Sequence, residues 1–512
     1  MKQAKKIIGW SVFSIYLILT LTAVFFHEPW EDELQPWIMA RELSAGEIIY
    51  WMRYEGHFAL WHLILHPFAA SGFPLDTLNL VSWILCVTGT GLLFFRSRLP
   101  LWSRCLMLFS CALLYYYPVV ARTYSLIPLT LYFLTVLYPV RLRHPFRYAF
   151  AVLLLMYIHP YLAGMAGMLG LFFLFDLIRH NRRLEGGLRL RKTFLPPAVM
   201  LAGALAAFLM VIPAVGESHV VPKTLAGFFG QEFFVPIVNV LKELPDGRHT
   251  YYLAPILGRL TVSVLYWLCM AAGLTVLWKT CRSMVWIWLG GLLWMLMMSA
   301  LVYPMLMHRG YLPYLFLIFA LGLPLSGKLR KEKKMGGLNA AAGICIAVLS
   351  VMTWYDSWVM FGNEIRYSFS NQGQMAAFIG QHVPKDARIV TFPPDLISST
   401  FPAFLPDHHF YDCGTNRPYR VFKRRGKYPR ELNDAVLHYY AAGSPEPYYL
   451  LFYAPVIQYY RITPKMLTDG FRHFKVEFVY QTYPPAFFSA HEDYILFKVT
   501  PLQRPADTGR SR

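Results

Sequence analysis

Residues 25–63 read FFHEPWEDELQPWIMARELSAGEIIYWMRYEGHFALWHL. The stretch follows the first apolar run of the chain directly. Four acids fall within six residues, Glu28, Glu31, Asp32 and Glu33, and Arg53, Glu55 and His57 follow in its second half. Ionisable groups are costly beside hydrocarbon and persist there chiefly where they act, so this polar patch is where chemistry is expected. Apolar residues at 34, 37 and 38 space a helix over 33–43. Ser44-Ala-Gly-Glu47 reads as a capping box that opens a second short helix. Trp30, Trp37, Tyr50 and Trp51 suit the headgroup level of a bilayer. The reading is two interfacial helices lying along the membrane surface.

The rest of the chain supports a membrane setting. Of 512 residues, 56% are hydrophobic and only 15% charged, and mean hydropathy is +0.39. A soluble protein of this size carries more charge. Eleven apolar segments read as helices, at 7–26, 75–95, 103–118, 122–140, 148–158, 161–178, 194–213, 255–278, 284–303, 311–326 and 338–358. The expected class is a polytopic α-helical membrane protein. The net charge of +19 is explained by basic loops that orient the helices rather than by nucleic acid. Seven cysteines lie mostly inside apolar segments, which argues against a disulfide framework. MKQAKK before the first apolar run, with no small-residue cleavage site after it, reads as an uncleaved anchor.

Charge sets the orientation. Lys2, Lys5 and Lys6 place the N-terminus in the cytoplasm, and basic residues then fill alternate loops: Arg96, Arg98 and Arg104; Arg141, Arg143 and Arg147; a cluster from Arg179 to Lys192; Lys279 and Arg282; and Lys328 to Lys334. This alternation makes 57–72 a re-entrant or interfacial helix. It makes 148–178 a hairpin with His159-Pro160-Tyr161 at its tip. The acidic patch and the polar loop 214–254 then face outside. Residues 1–358 form the membrane module, with 27–74 as its first external loop. Residues 359–500 read as an external α/β domain, with a helix at 371–382 and strands at 387–392, 409–413, 448–453, 476–481 and 494–499. The tail 501–512 is expected to be disordered.

Three short motifs resemble the GT-C superfamily of polyprenyl-phosphate-sugar-dependent transferases, in its protein O-mannosyltransferase and lipid A aminoarabinose transferase branch. Asp32-Glu33 is similar to that branch's external acidic pair. Glu55-Gly-His57-Phe-Ala-Leu-Trp61 resembles its His/Lys-Pro-Pro-Leu element, with Phe58 and Ala59 in place of the prolines. Ala121-Arg122-Thr-Tyr124-Ser-Leu and His308-Arg309-Gly-Tyr311-Leu-Pro resemble its outer-edge Arg-aromatic element. The resemblance implies one active site under the first loop, in the cytoplasmic (inner) membrane and open to its outer face. It implies an inverting glycosyltransferase with a lipid-phosphate-linked sugar donor and a lipid, glycan or protein acceptor.

Such a transfer needs a base for the acceptor hydroxyl and cations for the leaving phosphate. Asp32 is the expected base, its alternative being a helix N-cap. Glu33 would orient the acceptor, or serve as a first-turn acid favoured by the helix dipole. Arg53, Arg122 and Arg309 are the expected phosphate ligands, since a guanidinium forks onto phosphate oxygens; headgroup snorkelling is the bland alternative. His57 and His308 would donate to the same phosphate, or bridge helices. Glu55, His159 and Tyr161 are placed in the pocket. His62 and His66, four apart, suit a metal on a helix, but no third ligand is evident, so no metal or other cofactor is assigned. Seven basic residues fall within 417–430; of these Arg424, Arg425 and Lys427 are the expected contacts to an anionic acceptor or lipid headgroups, a solvated loop being the alternative. Two other classes stay open: a lipid or glycan transporter, which would ordinarily show internal repeats, and a glycan ligase on the same scaffold.

Overall fold

The computed structural model describes residues 2–184, 190–212, 259–302, 307–323, 335–392, 399–422, 429, 431–459, 470–487 and 492–502. The loop 214–254, the segment 324–334, the triad Arg424, Arg425 and Lys427, and most of the tail lie outside the described residues.

The membrane body begins with α1 (Lys2–Phe26), followed by α2 (Glu31–Glu42), α3 (Ala45–Glu55) and α4 (Leu60–Ala69). Then come α5 (Thr77–Arg96), α6 (Leu101–Leu108), α7 (Ile127–Leu137), α8 (Pro145–Ile158), α9 (Ala163–Leu184) and α10 (Leu190–Met210). The body ends with α11 (Arg259–Thr280), α12 (Arg282–Leu301), α13 (Leu312–Gly322), α14 (Met335–Val351) and α15 (Trp354–Arg366). Among the described residues, seven helices are long and apolar enough to cross a membrane, or eight if α14 and α15 count as one bent span. Ile18, Phe25, Phe175, Leu201, Leu209, Leu268 and Leu293 are more than half exposed. So much outward apolar surface belongs in lipid, and the chain is a multi-pass membrane protein.

Several boundaries follow from local chemistry. His159 is extended, and Pro160 cannot continue α8, so the apolar run 148–178 breaks there as expected. At ten residues, α4 is too short to cross, in keeping with a re-entrant or interfacial role. In α3 the cap is as read: Glu47 Oε2 accepts from Ser44 N–H at 2.8 Å, and Ser44 Oγ accepts from Glu47 N–H at 3.4 Å. Gly89 is required by packing, because a Cβ there would collide with the α7 backbone at Leu129.

Two helices differ from the sequence reading. The segment 103–118 is not one helix: α6 ends at Leu108 and the chain re-forms as a π-helical turn, Ala112–Tyr116. The helix at 338–358 stops at Val351 and turns by 40° into α15. Thr353 Oγ1 donates to the Ser350 carbonyl and accepts from Cys111 N–H, so a side chain takes up groups that a straight helix would need. The second half is polar inward and aromatic outward: Asp356, Ser357 and Glu364 are buried, while Tyr355 and Trp358 are exposed.

All five strands appear: β1 (Arg388–Phe392), β2 (His409–Asp412), β3 (Tyr448–Tyr453), β4 (Phe474–Gln481) and β5 (Tyr494–Pro501). Their order is β2-β1-β3-β5-β4, with β2, β1 and β3 parallel and β5 and β4 antiparallel. The expected helix forms over Gln372–His382 (α16). Every residue of β3 is buried, as a central strand covered on both faces must be.

This sheet domain packs on α2. Leu34 and Ile38 bury against Ala403, Phe404 and Val421. Arg41 donates to the carbonyls of Pro402 and Ala403, and Gln35 Nε2 to that of Phe422. The expectation of a helix lying along the outer surface is corrected here. Trp30 and Trp37 are buried in protein, because the C-terminal domain and α4 cover α2. Only Tyr50 remains freely exposed among the four aromatics assigned to the headgroup level.

Candidate active site

The first turn of α2 is held by one side chain. Glu33 is fully buried. Its Oε2 accepts from Trp30 N–H at 3.2 Å and lies 2.9 Å from His27 Nε2, while its Oε1 accepts from Ala121 N–H. One carboxylate thus ties the segment before α2 to the loop before Arg122. The next residues along, Asp32 and Arg122, are thereby brought together, with Arg122 Nη1 donating to Asp32 Oδ2 at 2.5 Å. The Arg122 guanidinium lies between two rings, 5.9 Å from the centres of Trp30 and Tyr124, within cation–π range.

The sequence reading placed Asp32 and Arg122 in separate roles and set Arg53 beside Arg122 as a phosphate ligand. The structure pairs Asp32 with Arg122. Arg53 instead donates to the Tyr50 carbonyl and covers the Tyr50 ring at 4.1 Å, away from the cavity, because the two residues are one turn apart on α3. The helix-capping alternative for Asp32 also falls away: the residue at the cap position is Trp30. Pro36 has no N–H for the Asp32 carbonyl, so the first turn lacks that helical bond.

Asp32 and Arg122 line a small cavity, about 40 Å³, with Gln35, Glu55, His57, Trp61, His62 and His159. Glu33 does not line it. His57 and His159 face each other with ring centres 5.2 Å apart, and the His159 ring lies 5.0 Å from that of Tyr124. His159 Nδ1 accepts from Tyr161 N–H. Glu55 accepts from Gln35 Nε2 at 3.3 Å. Arg309 lies close to the hydroxyls of Tyr124 and Tyr161, which brings the second Arg-aromatic motif to the first. His308 shares the 3₁₀ turn Met307–Tyr311, and its side chain is outside the described residues. Gln35 Oε1, Trp61 Nε1 and His62 Nδ1 are buried without a hydrogen-bond partner. Burial holds the His62 pKa down at about 4, so its imidazole is neutral. His66 Nδ1 is turned to the Ala40 carbonyl at 2.8 Å. Among the described residues no group of three or more His, Cys, Asp or Glu side chains converges as a metal site would require.

Five groups around this site were given no role by the sequence reading: His27, Glu28, Tyr115, Glu364 and Glu492. His27 Nδ1 lies 3.1 Å from Glu364 Oε1 on α15, and Tyr115 OH of the π-helical turn donates to Glu364 Oε2. Glu492, just before β5, accepts from Ser370 Oγ and from the Glu31 amide at the start of α2. Burial raises its pKa, and Asp32 and Glu33 add to the rise. Glu28 is raised to about 7, chiefly by burial. Of these, His27 and Glu28 carried a sequence signal, lying within the quoted stretch.

The helical membrane body, the first loop laid over helix ends and the C-terminal sheet domain packed on that loop make up a fold already seen in solved structures. Two crystal structures share it: ArnT from Cupriavidus metallidurans in the apo state, at 12% identity and a TM-score of 0.52, and ArnT from the same organism bound to undecaprenyl phosphate, at 11% and 0.50. Each comparison covers 96% of this chain and 98% of ArnT, and at these identities the likeness is one of fold. No protein-family model and no curated protein sequence matches the chain.

Proposed function

We propose that this chain is an inverting glycosyltransferase that moves a sugar from a polyprenyl-phosphate-linked donor to a hydroxyl acceptor at the outer face of the cell membrane. The Asp32–Arg122 pair at the mouth of a histidine-lined cavity carries the reading. A fold shared with a protein crystallised with undecaprenyl phosphate supports it. Arg122, with Arg309, His57 and His308, meets the donor phosphate; the guanidinium turns from Asp32 to the phosphate oxygens it can fork. Asp32 then takes the acceptor proton. The acceptor oxygen bonds to the anomeric carbon from the face opposite the phosphate. The old carbon–oxygen bond breaks, its electron pair leaving on the polyprenyl phosphate. Glu33 positions rather than reacts. Glu55, His159 and Tyr161, with the open polar atoms of Gln35, Trp61 and His62, shape the pocket for a hydroxylated ring. Arg424, Arg425 and Lys427 contact an anionic acceptor or headgroups. The test is transfer by purified protein from a radiolabelled polyprenyl-phosphate sugar to a membrane-extract acceptor. Transport of the intact donor across vesicles without glycosidic product would make the protein a transporter instead. Release of an intact glycan from a lipid pyrophosphate would make it a ligase.

The orientation belongs to the same proposal: residues 1–358 form an eleven-helix module, and residues 359–500 lie outside the cytoplasm. Ser71 and His382 are exposed on the proposed outer side and Arg98 on the inner. In intact cells an impermeant maleimide should label Ser71→Cys and His382→Cys and spare Arg98→Cys. Labelling of the last would invert the arrangement.

A further inference from the structure

We propose that His27 and Glu364 are positioning residues of the transfer reaction, with α15 holding the first loop in its active geometry through an imidazolium clamped between Glu33 and Glu364. The inference rests on the glycosyltransferase reading. Its basis is geometric. His27 Nε2 is 2.9 Å from Glu33 Oε2, and His27 Nδ1 is 3.1 Å from Glu364 Oε1. A neutral imidazole has one N–H and would leave its second nitrogen lone pair against a carboxylate. With Tyr115 OH donating to Glu364 and two backbone N–H groups to Glu33, both acids are held as carboxylates, so both ring nitrogens donate, which is the charged form. All three side chains are fully shielded from solvent, so the pairing is not screened by water.

The surroundings fix the clamp at both ends. Tyr115 OH donates to the other oxygen of Glu364. Trp30 N–H and Ala121 N–H hold Glu33. The Phe369 ring lies edge-on to His27 with centres 4.6 Å apart. The charged or titratable groups facing the cluster are Glu28 beside His27, Glu33 on α2, Glu364 on α15, Tyr115 on the π-helical turn, and Glu492 from the C-terminal domain near Glu33. None of His27, Glu364 or Tyr115 lines the cavity. They act through Glu33, whose neighbours in the chain and across the loop are Asp32 and Arg122.

The charge state makes the role measurable. Burial opposes charge on His27, but Glu33 and Glu364 more than offset it and hold its pKa at about 10. A histidine raised in this way keeps its clamp intact below its ordinary range near 6.5, and loses it as pH rises through about 10. Glu364→Gln removes one of the two carboxylates. Turnover should fall about tenfold with donor KM within about twofold, and the alkaline limb of the kcat profile should move down by a pH unit or more. Glu364→Asp should restore most of that shift. His27→Gln should lose about thirtyfold or more and show no such limb. Histidine-selective NMR on the full-length protein, with His27→Gln used to assign the resonance, reads the same titration without activity. An imidazole that titrates near 6.5 in the wild type overturns the clamp. An alkaline limb unmoved by Glu364→Gln overturns the positioning role. Absence of transfer by the wild type overturns the glycosyltransferase reading and, with it, the positioning role, whereas the NMR result stands apart from both.

Discussion

Asp32→Asn is expected to lower turnover about 100-fold or more, the usual range for loss of a general base; that corresponds to about 2.7 kcal/mol of barrier. Asparagine keeps the size of the side chain and one oxygen for Arg122 to bond, but it cannot take the acceptor proton. The pairing at 2.5 Å adds a second expectation. Without a carboxylate to hold it, the Arg122 guanidinium is freer to meet phosphate, so donor binding should be unchanged or tighter. Turnover and donor affinity should therefore part company in this variant. Measurement needs purified protein, lipid-linked donor and acceptor, with binding followed separately. Near wild-type turnover would remove Asp32 as the base, and a dead Glu28→Gln beside an active Asp32→Asn would move that role to Glu28.

Glu33→Gln is expected to cost about 3–5 kcal/mol of stability, the range for breaking a buried, hydrogen-bonded charge pair from one side. Three donors converge on this carboxylate: His27, Trp30 N–H and Ala121 N–H. An amide can accept through one atom only, and its NH₂ would be set against a donor in a site shielded from solvent. The loss should appear in chemical unfolding of the purified protein, and activity should fall with it because Asp32 and Arg122 drift apart. Glu47→Gln is the control. Glu47 caps α3 in solvent, and the corresponding change there should be far smaller. If Glu33→Gln unfolds within about 1 kcal/mol of wild type, Glu33 is not the tie that aligns the two halves of the site.

Much of this architecture was legible in the sequence because its causes are local. Apolar length gave most of the long membrane helices, Pro160 gave the break before α9, Ser44 and Glu47 gave the start of α3, and strand-like runs between turn residues gave all five strands. Asp32, Arg122, Glu55, His57 and His159 were singled out, and they line one cavity. What escaped has causes distant in the chain. Nothing near α2 shows that residues 402–422 will cover it, so Trp30 and Trp37 read as membrane-surface aromatics. The run 338–358 is mostly apolar, and its bend goes with a Thr353 hydroxyl that meets Cys111. Glu364 was invisible because the helix that carries it was read as already ended. Arg53 was misplaced for a simpler reason: spacing shows that a cation lies on a helix near the site, not which way its side chain turns.

The clamp between His27 and Glu364 joins residues 337 positions apart. A chain made at about 5–20 residues per second needs roughly 20–70 s to supply the second partner after the first. For that interval the nascent first loop carries its acids and histidine without α15, and without the C-terminal domain that later covers α2. The residues that line the cavity are all made by position 159, but the clamp behind them closes only once α15 has followed. A chain stalled or cut before α15 has the first loop without Glu364 to hold His27, and without the sheet domain that covers α2.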